Sequence, residues 1–152
     1  MDNKNLLTLA LCLSLVSLPA ALPAQDEAQK EIIKYRQNVM KAQGGHLGAL
    51  FQIVRDRAGS WDHVAAHAQA LQGLSTMVVD AFREPTQGGD TDALPAIWSD
   101  FEGFEEAAVN YRQATARLSE AAQGGDRSVI EERFKATLDA CKGCHRDYRE
   151  DD

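Results

Sequence analysis

Apolar residues in this chain recur at helical rather than strand spacing. The clearest run is Ile97, Phe101, Phe104, Ala108, Tyr111, Thr115, Leu118 and Ala122, with steps alternating between four and three. That rhythm keeps one stripe of a helix facing one way. Pro95 suits the first turn of this helix, and Gln-Gly-Gly-Asp at 123–126 ends it. A second stripe follows through Ile130, Phe134, Leu138, Cys141, His145 and Tyr148. Its helix starts near Asp126 or Ser128, and Ser128 followed by Glu131 fits a capping box. Cys141, Cys144 and His145 are thereby predicted on the buried face of a helix.

Two more helical segments precede these. The first spans about 26–54, with Ile33, Met40, Leu47, Phe51 and Val54 as its apolar positions. Gly44 and Gly45 interrupt it and predict a kink or a close approach, since glycine weakens a helix. The second spans about 60–82, with Ser60 as its cap and an inner face of Val64, Ala68, Leu71, Ser75, Val78 and Phe82. A longer connection, 83–94, separates it from the third. No useful β-type alternation and no long repeat appears. Four helices with two short connections predict an all-α fold, an antiparallel up-down-up-down four-helix bundle.

Residues 1–24 stand apart from this pattern. Lys4 precedes an apolar run from Leu6 to about Val16, followed by small residues and prolines up to Ala24. That order is a cleaved secretory signal peptide, and the run is too short to span a bilayer. Residues 25–152 then form one domain. The formal charge of the chain, −7, is unchanged by this removal, because the segment holds one Asp and one Lys. An acidic domain argues against nucleic acid and anionic membranes as partners. Export implies the periplasm, with no membrane span after processing.

Cys12 leaves with the signal, so Cys141 and Cys144 are the only thiols retained. They fall in Cys-Lys-Gly-Cys-His, 141–145. Three chemistries compete for such a run. A redox dithiol belongs at a helix N-terminus after a strand, where its thiol pKa falls, and here it lies deep in a helix. A zinc site needs a fourth ligand, and His63 and His67, spaced i, i+4, are the available imidazoles. Adjacent Cys144 and His145 serve one tetrahedral ion poorly, however. Covalent haem explains every position: C-x-x-C-H is a c-type attachment sequence. At ~100° per residue the three side chains share an arc of about 100°. Both sulfurs can reach the vinyl groups of one porphyrin edge, and the imidazole can stand over the iron. The expected cofactor is one covalent haem c, joined by haem-attachment machinery.

A single C-x-x-C-H at the C-terminal end of four helices resembles the class II cytochromes c, the cytochrome c′ family with its six-coordinate low-spin branch. "KYRQNVM" at 34–40, "GGHLGAL" at 44–50, "FREPTQGG" at 82–89, "IWSDFEGF" at 97–104 and "CKGCHRDYR" at 141–149 carry the resemblance. It implies thioethers at Cys141 and Cys144 and His145 as proximal iron ligand. It implies Arg149 beside that imidazole, Arg36 and Gln37 at the haem edge and propionates, and Phe82 packed near the ring. On spacing alone Arg36 reads equally well as a solvated surface charge. Met40 falls where some members carry a sixth, distal ligand and others a merely packing residue. The family often pairs into homodimers through its first two helices, which "GGHLGAL" would suit as well as internal packing.

The leading expectation is therefore a periplasmic carrier of single electrons, with Met40 as the sixth ligand and redox partner proteins unspecified. The alternative is a five-coordinate cytochrome c′ that binds nitric oxide or carbon monoxide. A structural zinc protein is a remote third. No Ser/His/Asp set, phosphate loop or paired carboxylates suggest an enzyme.

Overall fold

The computed structural model of the chain describes residues 22–86 and 88–150. The export signal expected over 1–24 lies outside them except for its last three residues, which open the first helix. Helix α1 is Leu22–Val54. A 3₁₀ turn, Trp61–His63, leads into α2, Val64–Ser75, and α3, Val78–Ala81. After the connection come α4, Ala96–Ser99, α5, Phe101–Gly124, and α6, Arg127–Tyr148. Packing runs α1 on α2 and α3, α2 on α5, and α5 on α6. The α2–α3 pair and the α4–α5 pair each act as one arm, giving the expected four-helix bundle.

Several local expectations change. The second arm is not one helix. Ser75 Oγ donates to Gln72 O and Thr76 Oγ1 donates to Gly73 O, both at 2.7 Å. Such bonds compete for the carbonyls of the preceding turn and loosen it. The third arm breaks at Asp100, which leaves helical backbone angles and accepts from Gly103 N to cap α5. Asp126, not Ser128, caps α6, accepting from Ser128 N and Val129 N. The Ser128–Glu131 capping box does not form, because Ser128 lies inside the helix. α5 ends as expected, with Gly125 at φ 74 returning its N–H to Ala121 O. Gly44 and Gly45 make neither a kink nor a close approach: α1 runs through them, and a Cβ at either would meet nothing within 4 Å.

The inner face of α1 also differs. Ile33, Arg36, Val39, Gln43, Leu50 and Ile53 are buried, while Met40, Leu47, Phe51 and Val54 flank them. Two of the six buried side chains are polar, so the apolar residues alone trace the wrong stripe.

The core divides along the bundle axis into two clusters. One holds Leu50, Ile53, Val64, Ala68, Leu71, Leu118, Ile130 and Phe134. The other holds Val39, Val78, Ala81, Phe82, Ile97, Phe104, Ala108 and Tyr111, with Met40, Cys141, Cys144 and Tyr148 against it. Each arm changes from one cluster to the other across a buried polar residue: Gln43, Ser75, Thr115 and Thr137. Thr115 Oγ1 bonds Ser75 Oγ at 3.1 Å, joining two arms. Thr115 and Thr137 also donate to carbonyls of their own helices, and Gln43 donates to Val39 O.

The connection between α3 and α4 is tied down twice. Leu94 N donates to Tyr148 O and Glu150 N to Asp92 O, so the chain after α6 runs antiparallel beside 92–94. Tyr148 Oη donates to Asp100 Oδ2 at 3.0 Å. This bond passes over Gly103, where a Cβ would stand 2.6 Å from the Tyr148 oxygen and on top of the Asp100 carboxylate. Gly103→Ala should therefore destabilise the protein by about 1–3 kcal/mol, although alanine is the better helix former. Gly45→Ala, in open space, should stabilise it by about 0.5–1 kcal/mol. Urea unfolding of the two variants checks the opposite signs.

Candidate functional site

Helix α6 delivers the attachment sequence in its last two turns. Cys141 and Cys144 are half-buried free thiols, and His145 lies at the helix rim with much of its surface open. The prediction of a buried face thus holds for the sulfurs and needs correction for the imidazole. The three side chains line one wall of a cavity of about 440 Å³. That volume lies within the range of about 300–1,000 Å³ common for small-molecule and cofactor sites. Met40, Gln43, Gly44 and Leu47 of α1 line another wall, with Val78 and Phe82 from α3 and its end. Phe104, Ala108 and Tyr111 of α5 contribute as well. The glycine at 44 leaves room at the wall rather than admitting a neighbouring helix.

Burial pushes both thiols up, each to about 11, and the second thiol adds to the effect on Cys141. A redox dithiol needs the reverse, a lowered pKa. His145 is shifted down, first by the burial of part of its ring and then by the Arg149 guanidinium. A neutral imidazole is the form that binds iron. Arg149 itself reaches Asp92 Oδ2 at 3.4 Å, at the cavity mouth. Among the described residues no three His, Cys, Asp or Glu side chains gather as a metal site of their own. His67 instead pairs with His46 of α1, so the zinc reading lacks its extra ligands.

Arg36 and Gln37 both line the cavity, but their polar groups are engaged with the connection. Arg36 is 2% exposed, which overturns the solvated-charge reading. Its Nε donates to Ala81 O at 2.8 Å, Nη1 to Thr86 Oγ1 at 2.8 Å, and Nη2 to Glu84 O. The guanidinium carbon stands 5.3 Å from the Phe82 ring centre and 5.0 Å from that of Trp98. Gln37 Nε2 donates to Asp90 O at 2.8 Å. Phe82 packs on Phe104 with ring centroids 5.3 Å apart, and Tyr148 meets the same Phe104 edge-on.

Sequence reasoning overlooked Gln43 and Tyr111 as site residues. Gln43 Nε2 lies 3.8 Å from the Met40 sulfur, a weak donor contact one turn along α1. The spacing i, i+3 from Met40 was the available signal. Tyr111 sat in the α5 stripe as ordinary core. Its hydroxyl is buried with no hydrogen-bond partner among the described residues, and burial raises its pKa, so it remains a donor. An orphaned donor at the edge of an apolar cavity suits a bound group that offers it an acceptor. Apolar walls, two thiols and a neutral imidazole on one helix face together fit a covalently held haem.

Residues 31–149 match the family model described as Cytochrome C′. The cytochrome c′ of Rhodospirillum rubrum is 30% identical over 139 residues, covering 91% of this chain and 95% of that protein. Cytochrome c-554 of Cereibacter sphaeroides is 31% identical over 150 residues, covering 95% and 96%. Among solved structures, a nitric oxide complex of a cytochrome c prime variant from Alcaligenes xylosoxidans superposes with a TM-score of 0.74. It is 31% identical, covering 81% of this chain and 97% of that one. With its bundle, its cavity and its C-terminal attachment sequence, this chain belongs to the cytochrome c′ family and is a covalent haem c protein.

Proposed function

We propose that this protein binds nitric oxide or carbon monoxide on a haem c held by Cys141, Cys144 and His145. The observation that carries the reading is the cavity, where the attachment sequence forms one wall and mainly apolar side chains form the rest. The nitric oxide complex of the Alcaligenes xylosoxidans relative supports it. When bound, the haem supplies an iron that exchanges single electrons and takes a small diatomic ligand.

The chain's own residues set the conditions. Cys141 and Cys144, one turn apart, fix the group to α6 through two thioethers. Partial burial first and then the Arg149 guanidinium favour the neutral His145 imidazole, and Arg149 lies 3.4 Å from Asp92 Oδ2. Phe82, Phe104, Ala108 and Val78 line the cavity with apolar surface that would keep water from a bound haem. Met40 then acts as a packing residue, with its sulfur turned to the Gln43 amide. Export by residues 1–24 places the protein in the periplasm.

A second reading keeps Met40 as a sixth ligand and the protein as an electron carrier. Met40 lines the cavity, with open space at Gly44 one turn along, and this favours it. His/Met ligation raises the potential and closes the iron to gases.

The attachment is tested by acid–acetone extraction and intact mass. Colour should stay with the protein, and the mass should equal the processed chain plus one haem. Cys141→Ala with Cys144→Ala should release the colour, whereas His145→Ala should keep it and lose the iron–imidazole mode in resonance Raman spectra.

The distal side is tested by reduction under carbon monoxide. The ferrous wild type should be high-spin and bind carbon monoxide readily. Met40→Leu should leave the spin state unchanged and alter affinity by less than about tenfold, a packing-scale effect. A low-spin wild type that binds carbon monoxide only after Met40→Leu would establish the carrier reading instead.

A further inference from the structure

The cavity is walled mainly by apolar side chains, yet Arg36, Gln43 and Tyr111 also line it, and each is buried to more than nine-tenths. A buried donor costs free energy unless it is bonded. Arg36 meets that demand by bonding its three nitrogens to the connection. Gln43 meets it in part, with Nε2 3.4 Å from Val39 O and 3.8 Å from the Met40 sulfur. Tyr111 leaves it unmet, since its Oη has no partner among the described residues. Burial raises the pKa of this phenol and the neighbouring Cys141 thiol raises it further, so the proton stays on the oxygen beside the attachment sequence.

Resting on the gas-binding reading, we propose that the Tyr111 hydroxyl donates a hydrogen bond to the diatomic ligand on the haem iron, with the Gln43 amide as a second donor. The site then favours a ligand that gains negative charge on binding.

The other acceptors of a haem c suit this hydroxyl less. The two carboxylates of the macrocycle stand on the edge opposite its thioethers, whereas Tyr111 lies beside Cys141. Carboxylates also have a better place at the cavity mouth, among Gln37, Lys41, Thr91 and Arg149. Thioether sulfurs are weak acceptors. With His145 of α6 on one side of the iron, a small ligand has the space lined by α1, α3 and α5. On the α5 wall Phe104 and Ala108 offer no polar atom, so Tyr111 alone supplies a donor there. Gln43 supplies one from the α1 wall, and its two long contacts cost little to give up.

A hydrogen bond to the far atom of a bound diatomic draws electron density from the iron onto the ligand. Distal donors and distal polarity are the levers by which a haem pocket chooses among ligands. Nitric oxide, which binds bent with charge on its oxygen, accepts such a bond better than carbon monoxide. The phenol is fixed by packing on two sides of its ring, so little ordering is needed when the bond forms.

The test uses the ferrous, haem-loaded protein with carbon monoxide and with nitric oxide. Tyr111→Phe removes the oxygen and keeps the ring. The infrared C–O stretch should move to higher wavenumber in this variant, because a donor that weakens the C–O bond is gone. Release of nitric oxide should quicken about 2–10-fold, the net worth of one hydrogen bond. Gln43→Leu should shift the stretch in the same direction by less. In heavy water the wild-type band should move and the Tyr111→Phe band should not, a response that packing alone does not produce. Without gas, the urea midpoint of Tyr111→Phe should not fall, since no bond is lost. An unmoved C–O band in Tyr111→Phe would overturn the proposal, whatever Gln43→Leu does. A lowered midpoint with an unmoved band would overturn it too, by giving the hydroxyl to the haem or the fold. If carbon monoxide binds only after Met40→Leu, the gas-binding reading fails, and the same comparison in the Met40→Leu protein still decides the role of Tyr111.

Discussion

A buried cation whose hydrogen bonds go to carbonyl and hydroxyl oxygens holds the cavity end of this bundle together. Arg36 spends its donors on Ala81 O, Glu84 O and Thr86 Oγ1, and its faces on Phe82 and Trp98. Burial lowers its proton affinity from the ordinary arginine value, but an arginine remains charged across the accessible pH range. Neutral oxygens, aromatic faces and the nearby Glu84 charge together compensate it. Each acceptor lies in the stretch that leaves α3. The guanidinium thus fixes where the connection starts, and Gln37 fixes it again at Asp90. Past that point the connection pairs with the chain leaving α6. A linked set of polar contacts runs from α1 through the connection to the segment just beyond His145.

Helix α6 works within this frame as a rigid ruler. Three side chains in five residues face one cavity because 100° per residue brings positions 141, 144 and 145 to one side. The thiols sit among apolar groups that keep them protonated, so their role is to form thioethers rather than to cycle electrons themselves. The imidazole is shaped in the same way, with partial burial and Arg149 both favouring its neutral form.

Much of this was legible in the sequence. The α5 stripe and the α2–α3 inner face were read closely, because apolar side chains carried nearly the whole period, with Thr115 and Ser75 in step. The Cys141, Cys144 and His145 trio was legible because its spacing is a local property of one helix. On α1 the reading failed, since Arg36 and Gln43 occupy core positions and no hydrophobic pattern reports a buried polar residue. The role of Arg36 depends on two carbonyls and a hydroxyl 45 to 50 residues away. Breaks at Thr76 and Asp100 escaped notice because side chain to backbone bonds, not glycine or proline, make them. His46 and His67 were hidden for a similar reason: their meeting depends on how two helices pack.

The belt of Gln43, Ser75, Thr115 and Thr137 separates two kinds of interior. Below it, mainly apolar side chains fill the bundle; above it, they surround a cavity. The Gln43 amide and the Ser75, Thr115 and Thr137 hydroxyls each bond a carbonyl of their own arm at this boundary. The boundary makes the molecule modular at the scale of half a bundle. Residues above the belt can change to suit a different ligand, spin state or potential, while the packing below continues to define the four-helix architecture. The site can then vary while the scaffold stays, because the two are written in different layers of the same helices.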